Sequence, residues 1–550
     1  MAAALLGLAA AAPAQEPEDE RASASFSSLR LAKAGPDECF NGVGKPYPRL
    51  VIDGQGKASC VDPDTGSPLG TPKVNAGYIW GMAETGNRYL WFGTGPNVQC
   101  FYMGWYFQRS SPFQSATEVC ELGSSQLAKQ QLVTPALGDW RAPNVYVYDT
   151  VTGAQSRSTP NEPLLQQTLG LRWGGTSPDQ SIVFFGGPDL DTPADAIVLH
   201  AFDTASATSL GSAKIPGWGN VRKSVVLDGA LYVGVQGVPA GGAVLRWVGD
   251  RGQPFEFVVV GAMDGEVEEL AVHQGRIFVT TSPNGSQGAA QGGVWRSPPV
   301  PAGGPTQSDA GAWSKIFKAS DYEPDLINAS TYGMGALASF DNALIFGTMH
   351  FPFEAAHAEI ATYGLASSSS SVITIEGKTR RPISIFRIDN ATTNPVVQPL
   401  YGSSSVQVYV PTDPTRPKNG GSWVSKPTKL GAPLLGAAGF GNTWNNYTWS
   451  LTVFGNALYI GTMDWSYLYA DYVGLLAANP TKLKGGNSYG GDLFKMTSAS
   501  AKGTLIQPQW ASQHAQLRRP HLGHRREPAL PSGKFTKHRG QVPPALSRVL

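Results

Sequence analysis

Apolar residues along this chain come in short β-branched and aromatic runs, joined in pairs by a tight turn. The second run of each pair closes on Gly-Thr or a near variant. The clearest copies are Leu344-Ile-Phe-Gly-Thr348 and Leu458-Tyr-Ile-Gly-Thr462. Leu90-Trp-Phe-Gly-Thr94 and Leu231-Tyr-Val-Gly-Val235 are close, and Ile277-Phe-Val-Thr-Thr281 and Val183-Phe-Phe-Gly-Gly187 are looser. Runs of this kind bounded by Gly, Asn and Asp predict antiparallel hairpins. Around the last copy, Trp449 to Phe454 predicts one strand, Gly455-Asn456 a turn and Ala457 to Thr462 a second strand. Gly490 to Met496 predicts a third after a long loop. The same order recurs through Gly241 to Trp247, Gly292 to Arg296 and Pro382 to Arg387. Helical spacing of apolar positions is hard to find in the body.

The anchors Val183, Leu231 and Ile277 are 48 and 46 residues apart. A unit of ~40–50 residues with three or four antiparallel strands is the signature of a propeller blade, which must stack on neighbours to bury both faces. Wider gaps, as between Leu90 and Val183 or Leu344 and Leu458, are read as the unit plus an insertion or as a further degenerate copy. The predicted fold is therefore all-β, a β-propeller of six to eight blades with seven favoured. A β-helix has shorter rungs, and sandwiches would not repeat one hairpin phrase so closely.

The expected organisation is a signal peptide at 1–14, an N-terminal disulfide-stapled segment at 15–75 and the propeller at 76–510, with a surface insertion at 402–443. Residues 511–550 are expected to be a disordered basic tail. Ala2 to Ala12 is apolar and too short to span a bilayer, and Ala12-Pro13-Ala14 is a cleavage-type pattern, although no Lys or Arg precedes the run. The tail carries eight basic residues and one acid, Glu527, with no strand pattern, as though the reading frame had shifted. A fourth strand is owed after Met496 and is not evident. Charged residues make up only 15% of the chain and the net charge is +1, which gives no reason to invoke nucleic acid or a membrane surface. A monomer, secreted, periplasmic or on the cell surface, is expected. The four cysteines allow three pairings. Cys39 with Cys60 and Cys100 with Cys120 is preferred, since each pair closes a short loop.

The phrases Gly439-Phe-Gly-Asn442, Trp449 to Thr462 and Gly491-Asp-Leu-Phe494 resemble those of exported bacterial β-propeller proteins, mostly uncharacterised. The resemblance covers about residues 75–500 and implies the fold more than any activity. A Trp-Asp ending to each unit, the kelch pattern of Gly-Gly closing a strand and Asp-boxes are missing.

In a four-stranded blade, the loop after the second strand and the link into the next blade share one face of the disc, where propeller sites are usually sought. Three candidates lie there. His350, with Glu354 and His357, could ligate a metal if the loop turned helically, against the plainer reading of solvated histidines. Asp189, Asp191 and Asp195 can gather round calcium, although turn chemistry is favoured. Trp444, Tyr447, Trp465 and Asp464 suit the stacking and hydroxyl bonding of a glycan, and Trp449 is expected to point into the core. Neither a G-x-S-x-G nucleophile nor a phosphate loop is present. The leading expectation is a non-catalytic module that binds a glycan or an extracellular protein. The alternative is a polysaccharide hydrolase or lyase, which needs two carboxylates within ~10 Å at one channel mouth.

Overall fold

The structure is a computed structural model, and it describes residues 35–76, 78–101, 113–114, 119–121, 123–130, 138, 140–191, 195–237, 241–283, 290–466 and 491–510. Its strands pair into six consecutive four-stranded antiparallel units, the blades of a β-propeller. The innermost strands are Tyr78–Thr85, Trp173–Thr176, Trp218–Leu227, Glu266–His273, Gly333–Phe340 and Asn445–Phe454, for blades 1 to 6. Six is the lower end of the expected range, and no seventh unit occurs among the described residues. The wide spacings hold insertions. Between the second and third strands of blade 5 lie helices α1 (Glu354–Tyr363) and α2 (Ser369–Thr379). Beyond its fourth strand, Ser405–Pro411 and Gly421–Pro427 form a separate hairpin within the expected 402–443 insertion. The fourth strand owed after Met496 is Thr504–Trp510. The basic tail and the leader lie outside the described residues.

Local chemistry explains the hairpins. Gly86-Asn87, Asp228-Gly229, Gln274-Gly275 and Asp341-Asn342 each hold two successive positive φ angles at the first turn of a blade. That geometry matches the twist of the flanking strands. The repeated Gly-Thr phrase has two separate jobs. Its glycine lies against the next blade: a Cβ at Gly93 would come within 2.6 Å of Leu171 Cβ, and one at Gly234 within 2.5 Å of Val267 Cγ1. Its threonine secures the end of the ladder. The hydroxyls of Thr94, Thr348 and Thr462 accept from the backbone N–H of Asn144, Ser384 and Asp492 at 2.8, 2.9 and 2.8 Å. In blade 4, where Thr280 replaces the glycine, its hydroxyl instead donates to Gly335 O of the next inner strand at 2.6 Å.

Apolar side chains fill the seams. Trp173, Phe184, Val221 and Val233 join blades 2 and 3, and Phe278, Phe317, Leu337 and Phe346 join blades 4 and 5. Among the described residues the ring is not sealed by strand exchange, because blade 1 and blade 6 are each built from strands consecutive in the chain. They meet edge to face through Tyr78 and Trp449, whose ring centroids are 6.3 Å apart. Both expected disulfides, Cys39–Cys60 and Cys100–Cys120, are formed.

Candidate functional site

Regular pleating sends alternate side chains to opposite faces of a strand, so residues reach the central channel in force only where that alternation is broken. The inner strands break it repeatedly. Their pairing registers shift between Ile79 and Gly81, between Val221 and Lys223, between Val267 and Glu269, and on either side of Tyr447-Thr448. The residues skipped are Trp80, Arg222, Glu268, Asn446 and Trp449. All these bulges fall near the start of their strands, at the disc face shared with the post-Gly-Thr loops.

Aromatic and charged groups gather at this mouth. Trp80, Tyr78, Trp449 and Tyr447 form a continuous arc, with successive ring centroids 5.7, 6.3 and 5.2 Å apart and each pair edge to face. Arg172 from blade 2 lies over the Trp80 ring at 4.9 Å. Arg222 from blade 3 pairs with Glu268 of blade 4 at 2.5 Å and donates to the Tyr447 hydroxyl. Glu268 also accepts from Ser282 Oγ at 2.6 Å, and Glu266 accepts from Gln236 Nε2 at 2.7 Å. Burial, and then the Glu268 charge, push the Glu266 carboxyl up to about 8, while Arg222 and Arg172 pull the other way. Glu266 therefore holds a proton at neutral pH. Glu268 is almost fully buried and committed to Arg222 and Ser282, whereas Glu266, Tyr78, Trp80 and Trp449 are part-exposed.

The sequence-predicted residues are distributed differently. Tyr447 belongs to the mouth, and Trp449 faces the channel aromatics instead of the core. His350 is buried between blades 5 and 6, its N–H on Asn446 O at 2.7 Å and its Nε2 3.3 Å from Asn328 Oδ1. Burial, with the charges of Arg381 and Arg380, holds its ring down to about 3, so it is neutral and not a solvated histidine. The segment after it does turn helically, yet Glu354 and His357 are exposed on α1 while His350 is enclosed. Asp464 is buried, accepting from Asn442 Nδ2 at 2.9 Å and from Ser466 N at 2.7 Å, and burial raises its carboxyl. Trp465 is buried edge-on to Phe351, and Trp444 carries the Arg380 guanidinium 3.8 Å from its ring centre. Trp465 and Trp444 fasten blade 6 to its neighbour. Asp189 is fully buried and paired with Lys214 at 2.8 Å, whereas Asp191 and Asp195 are exposed. The calcium grouping is corrected accordingly: Asp189 turns inward to a lysine, and no group of three metal-type side chains converges among the described residues.

A second ionic cluster lies under α1 and α2. Glu323 takes both arms of Arg381, at 2.7 and 3.2 Å. Glu359 on α1 is fully buried, and its carboxyl is raised by burial and by the neighbouring Asp325. This cluster is enclosed and anchors the helices. Among the described residues no helix is long and apolar enough to cross a membrane.

No family model matches the sequence, and no curated protein matches it. Solved structures give distant likenesses. The β-propeller domain of the Trilobed protease from Pyrococcus furiosus is 8% identical, covering 84% of this chain and 92% of that one at a TM-score of 0.34. An exo-β-1,3-galactanase from Phanerochaete chrysosporium is 11% identical over 57% and 60% of the two chains, at 0.29. An acylaminoacyl peptidase from Pyrococcus horikoshii is 7% identical over 78% and 52%, at 0.32. Likeness this remote carries no argument about activity, and the propeller assignment rests on the strand pairing itself.

Proposed function

We propose that the protein is an exported propeller of the kind its repeated phrases resemble, and that it binds a glycan at the channel mouth without transforming it. The observation that carries this reading is the set of strand bulges that turn Trp80, Arg222, Glu268 and Trp449 from four blades toward one point. Bulges cost ladder hydrogen bonds, and repeating them at one level of the disc makes sense where the side chains they re-aim share a ligand. Four aromatic rings beside hydrogen-bonding groups suit sugar rings, which present an apolar face and a hydroxyl edge. Export fits two disulfides, which persist in oxidising compartments.

The hydrolase or lyase reading keeps one specific support, two carboxyl groups at one mouth in Glu266 and Glu268. Glu268 is spent on Arg222 and Ser282, however, which leaves Glu266 without a second acid that can reach a substrate among the described residues. A thermal-shift screen of neutral and acidic oligosaccharides tests the binding reading. Stabilisation that disappears in Trp80→Ala supports it, and an unchanged melting temperature across the panel counts against it. Release of reducing ends by the wild type but not by Glu266→Gln would instead favour the enzyme.

A further inference from the structure

We propose that the propeller ring opens at the seam between blades 6 and 1, and that the glycan at the mouth is a chain that lies across this seam and holds it shut. Closure by a glycan rests on the channel-mouth reading, whereas the opening of the seam stands on packing alone.

An apolar cluster spans each of the other five seams. At the sixth, blade 1 presents a cluster of its own, Leu90, Phe92 and Tyr148 with Met82 and Tyr146, which takes in no described residue of blade 6. Leu458, Ile460, Phe494 and Met496 of blade 6 pack toward blade 5, so alternation along the same sheet turns Ser450, Thr452, Tyr459, Leu493 and Lys495 toward blade 1. Apart from Leu493, that face carries hydroxyls and an ammonium, with Lys495 Nζ 5.9 Å from the centre of the Tyr459 ring. Covering polar groups with an apolar face costs their hydration, so this joint is the weakest of the six.

Burial agrees. The second residue of the hairpin phrase faces the next blade. There Trp91, Phe184, Tyr232, Phe278 and Ile345 are at most 1% exposed, while Tyr459 is only half-buried. On the blade 1 side, Leu90 and Phe92 are 7% and 9% exposed, and their counterparts in the other five blades are at most 2% exposed. The aromatic arc crosses at the same place. Trp80 and Tyr78 belong to blade 1, Trp449 and Tyr447 to blade 6, and the two middle ring centroids are 6.3 Å apart. A chain of sugars lying along these rings makes its full set of contacts only with the seam closed, and a ligand shifts an equilibrium by its difference in affinity for the two states. A single sugar, seated on one side, has no such difference.

Thiol labelling tests both parts. The chain's four cysteines are spent on two disulfides, so an introduced cysteine is the reactive thiol. Leu90→Cys lies at the sixth seam, and Val183→Cys and Leu344→Cys take the same phrase position at the seams of blades 1 with 2 and 4 with 5. A maleimide should label Leu90→Cys about tenfold faster than either control, at a rate that low urea leaves unchanged, because local opening does not require global unfolding. Tyr148→Cys, on the same face, takes its place if Leu90→Cys does not fold. Cellohexaose, xylohexaose or mannohexaose should slow that labelling about fivefold, and glucose, xylose and mannose should not. Equal labelling at the three seams, or labelling of Leu90→Cys that climbs with urea, overturns the opening. A hexaose that raises the melting temperature yet leaves labelling unchanged, or a monosaccharide as effective as its hexaose, overturns closure by a chain and leaves the binding reading standing. Melting temperature and labelling both unmoved by every hexaose overturn closure and the binding reading together.

Discussion

Glu266→Gln should make the protein more stable at neutral pH, whereas most substitutions destabilise. In the folded chain the Glu266 carboxyl is pushed up to about 8 from its ordinary 4.5 by burial and by Glu268. Below pH ~4.5 the side chain is protonated whether folded or unfolded, and it costs nothing. As pH rises, the unfolded chain releases the proton and the folded chain does not, so stability is lost progressively until the folded carboxyl itself ionises near pH 8. From 4.5 to 7, at about 1.4 kcal/mol per pH unit, the penalty is about 3 kcal/mol, and partial exposure trims it to about 2. Glutamine keeps the Oε1 that accepts from Gln236 and never ionises, so it avoids the penalty. Urea unfolding of both proteins at pH 5, 6, 7, 8 and 9 should give nearly equal midpoints at pH 5. The variant's advantage should then widen to about 2 kcal/mol at pH 7 and level off above pH 8. A difference that stays constant across this range would refute the reasoning, since a packing effect has no reason to follow pH.

Three further substitutions probe the frame that holds the mouth. Gly234→Ala places a Cβ 2.5 Å from Val267 Cγ1 and should cost about 1–3 kcal/mol by overpacking the seam of blades 3 and 4, read as a lower urea midpoint. Thr348→Val keeps the shape but leaves the Ser384 N–H without its acceptor, at a cost of about 1–3 kcal/mol in the same assay. Arg381→Met strands the buried Glu323 carboxylate and should cost about 3–5 kcal/mol.

The fold was legible because the hairpin phrase is set by local rules. Turn pairs such as Asp228-Gly229 declare their positive φ angles, and the glycine of the Gly-Thr ending recurs in every blade but the fourth. The helices were not legible, since α1 and α2 are rich in Ala, Ser and Thr and lack an apolar stripe. Their signals are local, in the Ser368 cap that accepts from Ser371 N and the left-handed Gly364. The site was only partly legible. Blade topology indicated the face on which the bulges fall, and Tyr447 lies in the aromatic arc there. Trp80, Arg222, Glu266 and Glu268, by contrast, lie inside strands, where alternation assigns them to ordinary blade packing. A bulge is a pairing event between two strands, and one strand's sequence does not reveal it. His350 and Asp464 misled for the complementary reason. Polar residues after a strand suggest a loop open to water, and here both are buried, His350 in the seam between blades 5 and 6.

A crystal structure of the protein with the tightest-binding oligosaccharide tests the central claim most directly. Ligand density should lie across Trp80 and Trp449 at the mouth of the channel, its polar edge toward Arg172 and Glu266. Density on α1 beside Glu354 and His357, or on the Ser405–Pro411 hairpin, with the channel mouth unchanged, would contradict it.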